Sequence, residues 1–202
     1  ARGDLEVAGG VVERDAAGEP TGVLREEAAW RFKARYLTVP DVEYLAAMRP
    51  GLKLANARGV TAVHDKDGWL GALGLWRQLD EEGALSLRIW QSLPHERVAE
   101  LRSLGLRSGF GSPFLRVGSL KVFMDGTLGS QTAWLLDGSG VQITSGDELA
   151  EIILRGADAG FPVGVHAIGD RANREALDAF ERTRAVWSPL GLRHRIEHAQ
   201  LL

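Results

Sequence analysis

The sequence predicts an α/β protein: a parallel sheet built from consecutive strand–helix units. Three observations carry that expectation. Short β-branched runs alternate with stretches of helical composition from Asp41 onward, and helices of about 10–16 residues between strands are the signature of βα units. Glycine and a capping box punctuate the helices. Most of the strand runs close on His or Asp. Parallel neighbours need crossovers, and such crossovers are right-handed. Five units suit an open doubly wound sheet or part of an eight-fold barrel. Periodicity does not choose between them.

Each element has its own local reason. Val11–Arg14 and Gly22–Arg25 flank a Gly- and Pro-bearing turn at Asp15–Pro20, so residues 9–27 read as a hairpin-like excursion. Asp41–Arg58 has helical composition, with Pro50-Gly51 expected to break or kink it. Val60–His64 is a β-branched run after Gly59. Gly68–Gly83 reads as a helix through Trp69, Leu73 and Trp76. Leu85–Trp90 alternates at period two, and Pro94–Leu104 reads as a short helix with Val98 and Leu101 on one face. Val117–Met124 is the next strand. Ser145 and Glu148 form a capping-box pair ahead of Leu149, Ile152, Ile153 and Ala157, and Gly160 ends that helix. Phe161–His166 is a strand, Arg171–Ala185 a helix through Leu177 and Phe180, and Leu192–His198 the last strand.

Composition removes several function classes. The 202 residues carry 24 basic and 27 acidic side chains, a net charge of −3, which makes no electrostatic case for nucleic acid or an anionic membrane. With no Cys there is no disulfide framework, thiolate zinc site or Cys nucleophile. No apolar run approaches the ~20 residues of a membrane helix. The N-terminus does not read as a signal peptide. Together these point to a cytoplasmic protein. The chain does not begin with Met, which reads as a processed or cut piece of something longer.

The polar residues sit where α/β folds keep their sites. His64, His166, His198 and Asp125 each fall at or just past the end of a strand run, and the carboxyl ends of such strands carry the chemistry. Side chains two apart share a face, so Lys121, Phe123 and Asp125 are expected together, as are Ile196 and His198. Glu197 is then placed on the opposite face, in a core or supporting role. Two readings fit His166 and His198: neutral imidazole ligands of a divalent ion such as Zn²⁺, or strand caps donating to carbonyls. Asp170 either caps the helix that follows, accepting from the Asn173 N–H, or reaches into the site. Trp134 is a candidate substrate wall. His95 and His194 carry little signal.

Four blocks occur in order: Gly59–Asp65 (GVTAVHD), Leu120–Ser130 (LKVFMDGTLGS), Val165–Ala172 (VHAIGDRA) and His194–Gln200 (HRIEHAQ). Together they resemble the amidohydrolase superfamily, in particular amidohydrolase family 3, and Gly18–Gly22 also fits. The resemblance implies a metal-dependent (β/α)₈ TIM barrel, here about strands 2 to 6, a parallel sheet with outer helices. Residues 1–40 would be an N-terminal excursion packed on the barrel and 41–202 the partial barrel domain. It further implies hydrolysis of C–N bonds in non-peptide amides or formamides through a metal-activated water, on a small-molecule substrate.

Carried over position by position, His166 matches the strand-5 metal ligand, His198 the strand-6 ligand and Lys121 the bridging, often carboxylated, lysine of strand 4. Asp125 and Asp170 are the candidate catalytic carboxylates. The expected cofactor is one or two divalent ions, zinc by preference. No His-x-His pair occurs, and nothing follows the sixth barrel strand to supply the family's strand-8 Asp. The chain is therefore expected to be an internal segment of a longer enzyme, weak or inactive alone, self-associating through open sheet edges. The alternative is a catalytically inactive fragment, or a regulatory or binding protein of the same fold. A doubly wound nucleotide binder would need a phosphate-binding glycine motif after a strand, and none occurs.

Overall fold

Five strands pair in parallel and in chain order: β3 (Ala62–Asp65), β4 (Arg88–Pro94), β5 (Leu115–Phe123), β6 (Val163–Ala167) and β7 (Arg195–His198). The computed structural model describes residues 6–7, 10–66 and 72–202. Ahead of the sheet, β1 (Gly10–Arg14) and β2 (Pro20–Glu26) form an antiparallel hairpin. A helix the sequence did not announce, α1 (Glu27–Tyr36), follows without a linker.

The choice between doubly wound sheet and barrel is settled by which face is covered. Ile89, Leu115 and Val63 pack with α2 (Asp41–Ala57) and α3 (Ala72–Glu81). Val117, Leu120, Val122, Val163 and Val165 pack with α4 (Val98–Ser103), α5 (Gly146–Asp158) and α6 (Asp170–Trp187). These residues all belong to one face of the sheet. A doubly wound sheet buries both faces under helices. Here the helices form a single outer layer, the arrangement of a partial (β/α)₈ barrel, and the other face carries polar side chains together with Trp90 and Phe123.

One register change decides which side chains reach that inner face. Gln91 pairs with Val117, but Leu93 pairs with Leu120, so β5 carries one extra residue at Gly118-Ser119. Two residues opposing one is a β-bulge. Gly118 and Ser119 both face inward: a Cβ on Gly118 would lie 2.5 Å from Trp90 Nε1, and Ser119 Oγ lies 3.3 Å from Ser92 Oγ. Beyond the bulge Leu120 and Val122 face the helices, and Lys121 and Phe123 face the interior.

Several local expectations needed correction. Pro50 does not interrupt α2, because Leu45 and Leu52 on either side of it are buried, and that packing outweighs the lost hydrogen bond. The strand expected at 85–90 runs instead from Arg88 to Pro94, while Leu85 and Leu87 are buried on the approach to it. On α6 the buried stripe is Ala172, Ala176, Ala179 and Thr183, leaving Leu177 about half exposed. Trp69 lies outside the described residues. The Ser145/Glu148 capping box forms with both reciprocal bonds, and Gly160 closes the following turn at φ 76°.

Candidate functional site

Strand β6 puts His166 on the inner face, beside Phe123 of β5, with ring centroids 5.3 Å apart. The ring is almost wholly buried, and burial is the main reason its pKa falls, so the neutral form is favoured. Its Nε2 lies 2.8 Å from the Gly126 carbonyl and 3.6 Å from Asp125 Oδ1. A carbonyl only accepts, so Nε2 carries the hydrogen and Nδ1 keeps its lone pair. A partner that fixes the tautomer in this way is what ligating histidines ordinarily have.

His198 reaches the same place by a different route. Pairing of Ala167 with His198 puts it out of phase with the inward-facing His166 and Glu197 pair. Simple alternation would turn His198 toward the helices with Ile196. Instead its backbone adopts φ 80°, and its ring meets that of His166 edge-on, centroids 4.6 Å apart. The expectation that Ile196 and His198 share a face therefore fails. Glu197, expected on the far side, is the inward residue. Its carboxylate pairs with Lys66 Nζ at 2.7 Å and with Arg195. Burial alone would raise the Glu197 pKa, but Lys66 and Arg195 outweigh it and hold it low. Nothing in the sequence pattern signalled Lys66 or Glu197 as neighbours.

Lys121 is buried on the same face. Its Nζ donates to the Val122 carbonyl at 2.9 Å and stands 3.6 Å from the Phe123 ring centroid. Burial, with repulsion from Lys66 and against the pull of Glu197, brings its pKa down to about 7. A neutral amine is thus accessible near neutral pH. His64 sits on the inner face of the outermost strand, beside Trp90, and is exposed there.

The two candidate carboxylates occupy the rim as anchors. Asp125 is completely buried. It accepts from the N–H groups of Trp134 (2.9 Å), Ile168 (3.0 Å) and Gly169 (2.7 Å). It thereby ties the loop after β5 to the loop after β6. Asp170 is the first helical residue of α6 rather than its cap: Gly169 is the cap residue, and the Asn173 N–H donates to the Gly169 carbonyl. The Asp170 carboxylate accepts from the N–H groups of Leu136 and Arg171, both at 2.8 Å. Trp134 belongs to the hydrophobic core, its backbone held by Asp125, and Arg171 covers its ring at 5.0 Å. His194 has a structural place that sequence reading missed. Its Nδ1 accepts from the Val163 N–H at 2.9 Å between Phe180 and Trp187, and burial lowers its pKa to about 4.

His166 and His198 thus meet on the inner face, with Lys121 lower on the same face of β5 and Asp125 buried behind His166 in the rim loops. Among the described residues no three His, Asp or Glu side chains converge as a metal-holding group. The donor chemistry nevertheless fits a divalent ion in part. Two adjacent imidazoles are present, one with its tautomer fixed and its pKa lowered, beside a lysine that readily loses its proton.

Comparison with known proteins agrees with this architecture. The amidohydrolase family model matches residues 1–202. The chain is 31% identical to YtcJ of Bacillus subtilis (strain 168), over 96% of this chain and 38% of that protein. It is 29% identical to the N-substituted formamide deformylase of Arthrobacter pascens, over 95% of this chain and 38% of the enzyme. The crystal structure of an uncharacterized metal-dependent hydrolase from Pyrococcus furiosus superposes with a TM-score of 0.68 at 31% identity, covering 89% of this chain and 39% of that one. The chain therefore spans under two-fifths of the length of these relatives. No helix among the described residues is long and apolar enough to cross a membrane.

Proposed function

The chain belongs to the amidohydrolase family, and from that premise we propose that it supplies part of the metal centre of a hydrolase acting on C–N bonds of non-peptide amides or formamides. The observation that carries this reading is the meeting of the His166 and His198 rings on the inner face of a partial barrel. His166, through Nδ1, and His198 would hold the ion, with Lys121 as the third donor or bridge. Zinc suits two imidazoles and a nitrogen or oxygen donor. A divalent ion bound there would supply a water of lowered pKa and Lewis-acid polarisation of the scissile carbonyl. The Gly126 carbonyl fixes the His166 tautomer that leaves Nδ1 free to ligate, and Asp125 and Asp170 hold the rim loops in place. Likeness to a formamide deformylase supports the formamide end of the substrate range.

Cobalt titration tests the reading, because Co²⁺ reports nitrogen coordination in its visible spectrum. Two or three donors bind weakly, so the chain alone should show saturable but modest affinity and no turnover of N-substituted formamides. His166→Ala and His198→Ala should each abolish the spectral change. Unchanged binding in both variants would overturn the assignment.

A further inference from the structure

A strained residue outside the five-stranded sheet is tied to the loop that holds His166. Glu26, the last residue of the hairpin, has φ 50° and ψ −127°. That region is ordinarily left to glycine, and holding another residue there costs on the order of 1–3 kcal/mol unless its surroundings impose it. Its surroundings are the loop after β5. Glu26 Oε1 accepts from Ser130 Oγ at 2.8 Å and from Thr132 Oγ1 at 2.5 Å. The neighbouring Arg25 donates to the Ser130 carbonyl at 2.6 Å. Thr132 in turn accepts from the Thr127 N–H through Oγ1 at 2.9 Å and from the Gly126 N–H through its carbonyl at 3.1 Å. The carboxylate lies so close to Gly126 that a Cβ there would fall 2.7 Å from Glu26 Oε1 and 2.6 Å from Thr132 Cβ. The carbonyl of that same Gly126 holds His166.

We propose that Glu26 is a positioning residue for His166: its carboxylate clasps Ser130 and Thr132 and so fixes the peptide whose carbonyl sets the orientation and tautomer of the imidazole. The strain is then the cost of a device that locks the rim from outside the sheet. The functional weight of the proposal rests on the reading of His166 as a ligand, but the clasp itself does not depend on any ion.

Nitrogen-15 NMR of the imidazole in the metal-free chain tests it. In the unmodified chain His166 should show a single tautomer with a slowly exchanging Nε2–H. Glu26→Ala should lose the slow exchange and mix the tautomers, while Glu26→Gln, which keeps an acceptor oxygen, should largely retain both. Gly126→Ala, which pushes the clasp apart from the other side, should behave like Glu26→Ala. If Glu26→Ala does not fold, Thr132→Val removes one clasp hydroxyl and gives the same readout with a smaller change. A folded Glu26→Ala or Thr132→Val chain with His166 unaltered would overturn the proposal. In Co²⁺ titration a loosened His166 should bind about tenfold more weakly. Loss of the NMR signature without any cobalt binding in the unmodified chain would leave the clasp standing and remove only the metal reading.

Discussion

Strands β6 and β7 each end with a histidine at the same rim, yet the two are held by different physics. Every residue of β6 is buried, and β6 pairs on both sides. His166 is fixed by packing, a carbonyl and a buried carboxylate. None of the β7 residues is fully buried, and among the described residues β7 pairs on one side only. His198 is aimed by left-handed backbone at its own position, followed by a second positive φ of 45° at Ala199, and its side chain is exposed. The central ligand candidate is thus defended by the whole core, and the edge candidate by local geometry alone. A site spread over both inherits rigidity from one half and adjustability from the other.

The comparison breaks most visibly at its central side. Asp125→Ala would leave three backbone N–H groups without their acceptor. At about 1 kcal/mol or more each, the loss should reach roughly 3 kcal/mol, read as a lower urea midpoint. Asp170→Ala, whose two bonds lie nearer solvent, should cost about 1 kcal/mol. Equal losses would mean that the rim is not anchored through Asp125.

Acid should act next, through the seam where the two strands begin. His194 precedes β7, yet its Nδ1 serves the first N–H of β6. Its folded pKa, about 4, is below the ordinary 6.5, so between those values the unfolded chain binds more protons. Stability should therefore fall as pH drops from 6.5 toward 4. His166, lowered mainly by burial, and the more exposed His64, lowered by partial desolvation and by the Arg195 and Lys66 charges, add to the same slope. Urea midpoints measured at several pH values should show it, and His194→Gln should flatten it. An unchanged slope would remove His194 as its source.

The smallest effect has the opposite sign. His198→Gly relieves the positive φ, so it should leave stability unchanged or raise it by up to about 1 kcal/mol while removing the side chain. His166→Gly should destabilise through lost packing. Thermal melts of the two variants moving in the same direction would erase the distinction between the strands.

Much of this was legible beforehand because parallel sheets obey few rules. Strand runs alternating with helical stretches implied parallel strands, the family resemblance put five of them in chain order around a partial barrel, and the shared carboxyl ends bring His166, Lys121 and Asp125 near one another. What stayed hidden depends on contacts distant in sequence. No Gly or Asn marks the left-handed turn at His198, so alternation put Glu197 on the wrong face. Glu26 and Thr132 meet across 106 positions, a pairing no local pattern encodes. Leu177 fits a helical stripe as well as Ala176 does, and only the alanine side lets α5 approach α6 closely.

The extra residue at Gly118-Ser119 works like a frameshift in the alternation of β5. Upstream of it, odd positions such as Leu115 and Val117 face the helices; downstream, Leu120 and Val122 do. Deleting one residue there would leave composition and hydrophobicity almost untouched. Yet it would exchange the two surfaces of everything that follows, sending Lys121 and Phe123 into the helical layer and turning two aliphatic side chains into the cavity. In this strand the chemistry of the interior is written less in which residues are present than in a count of one.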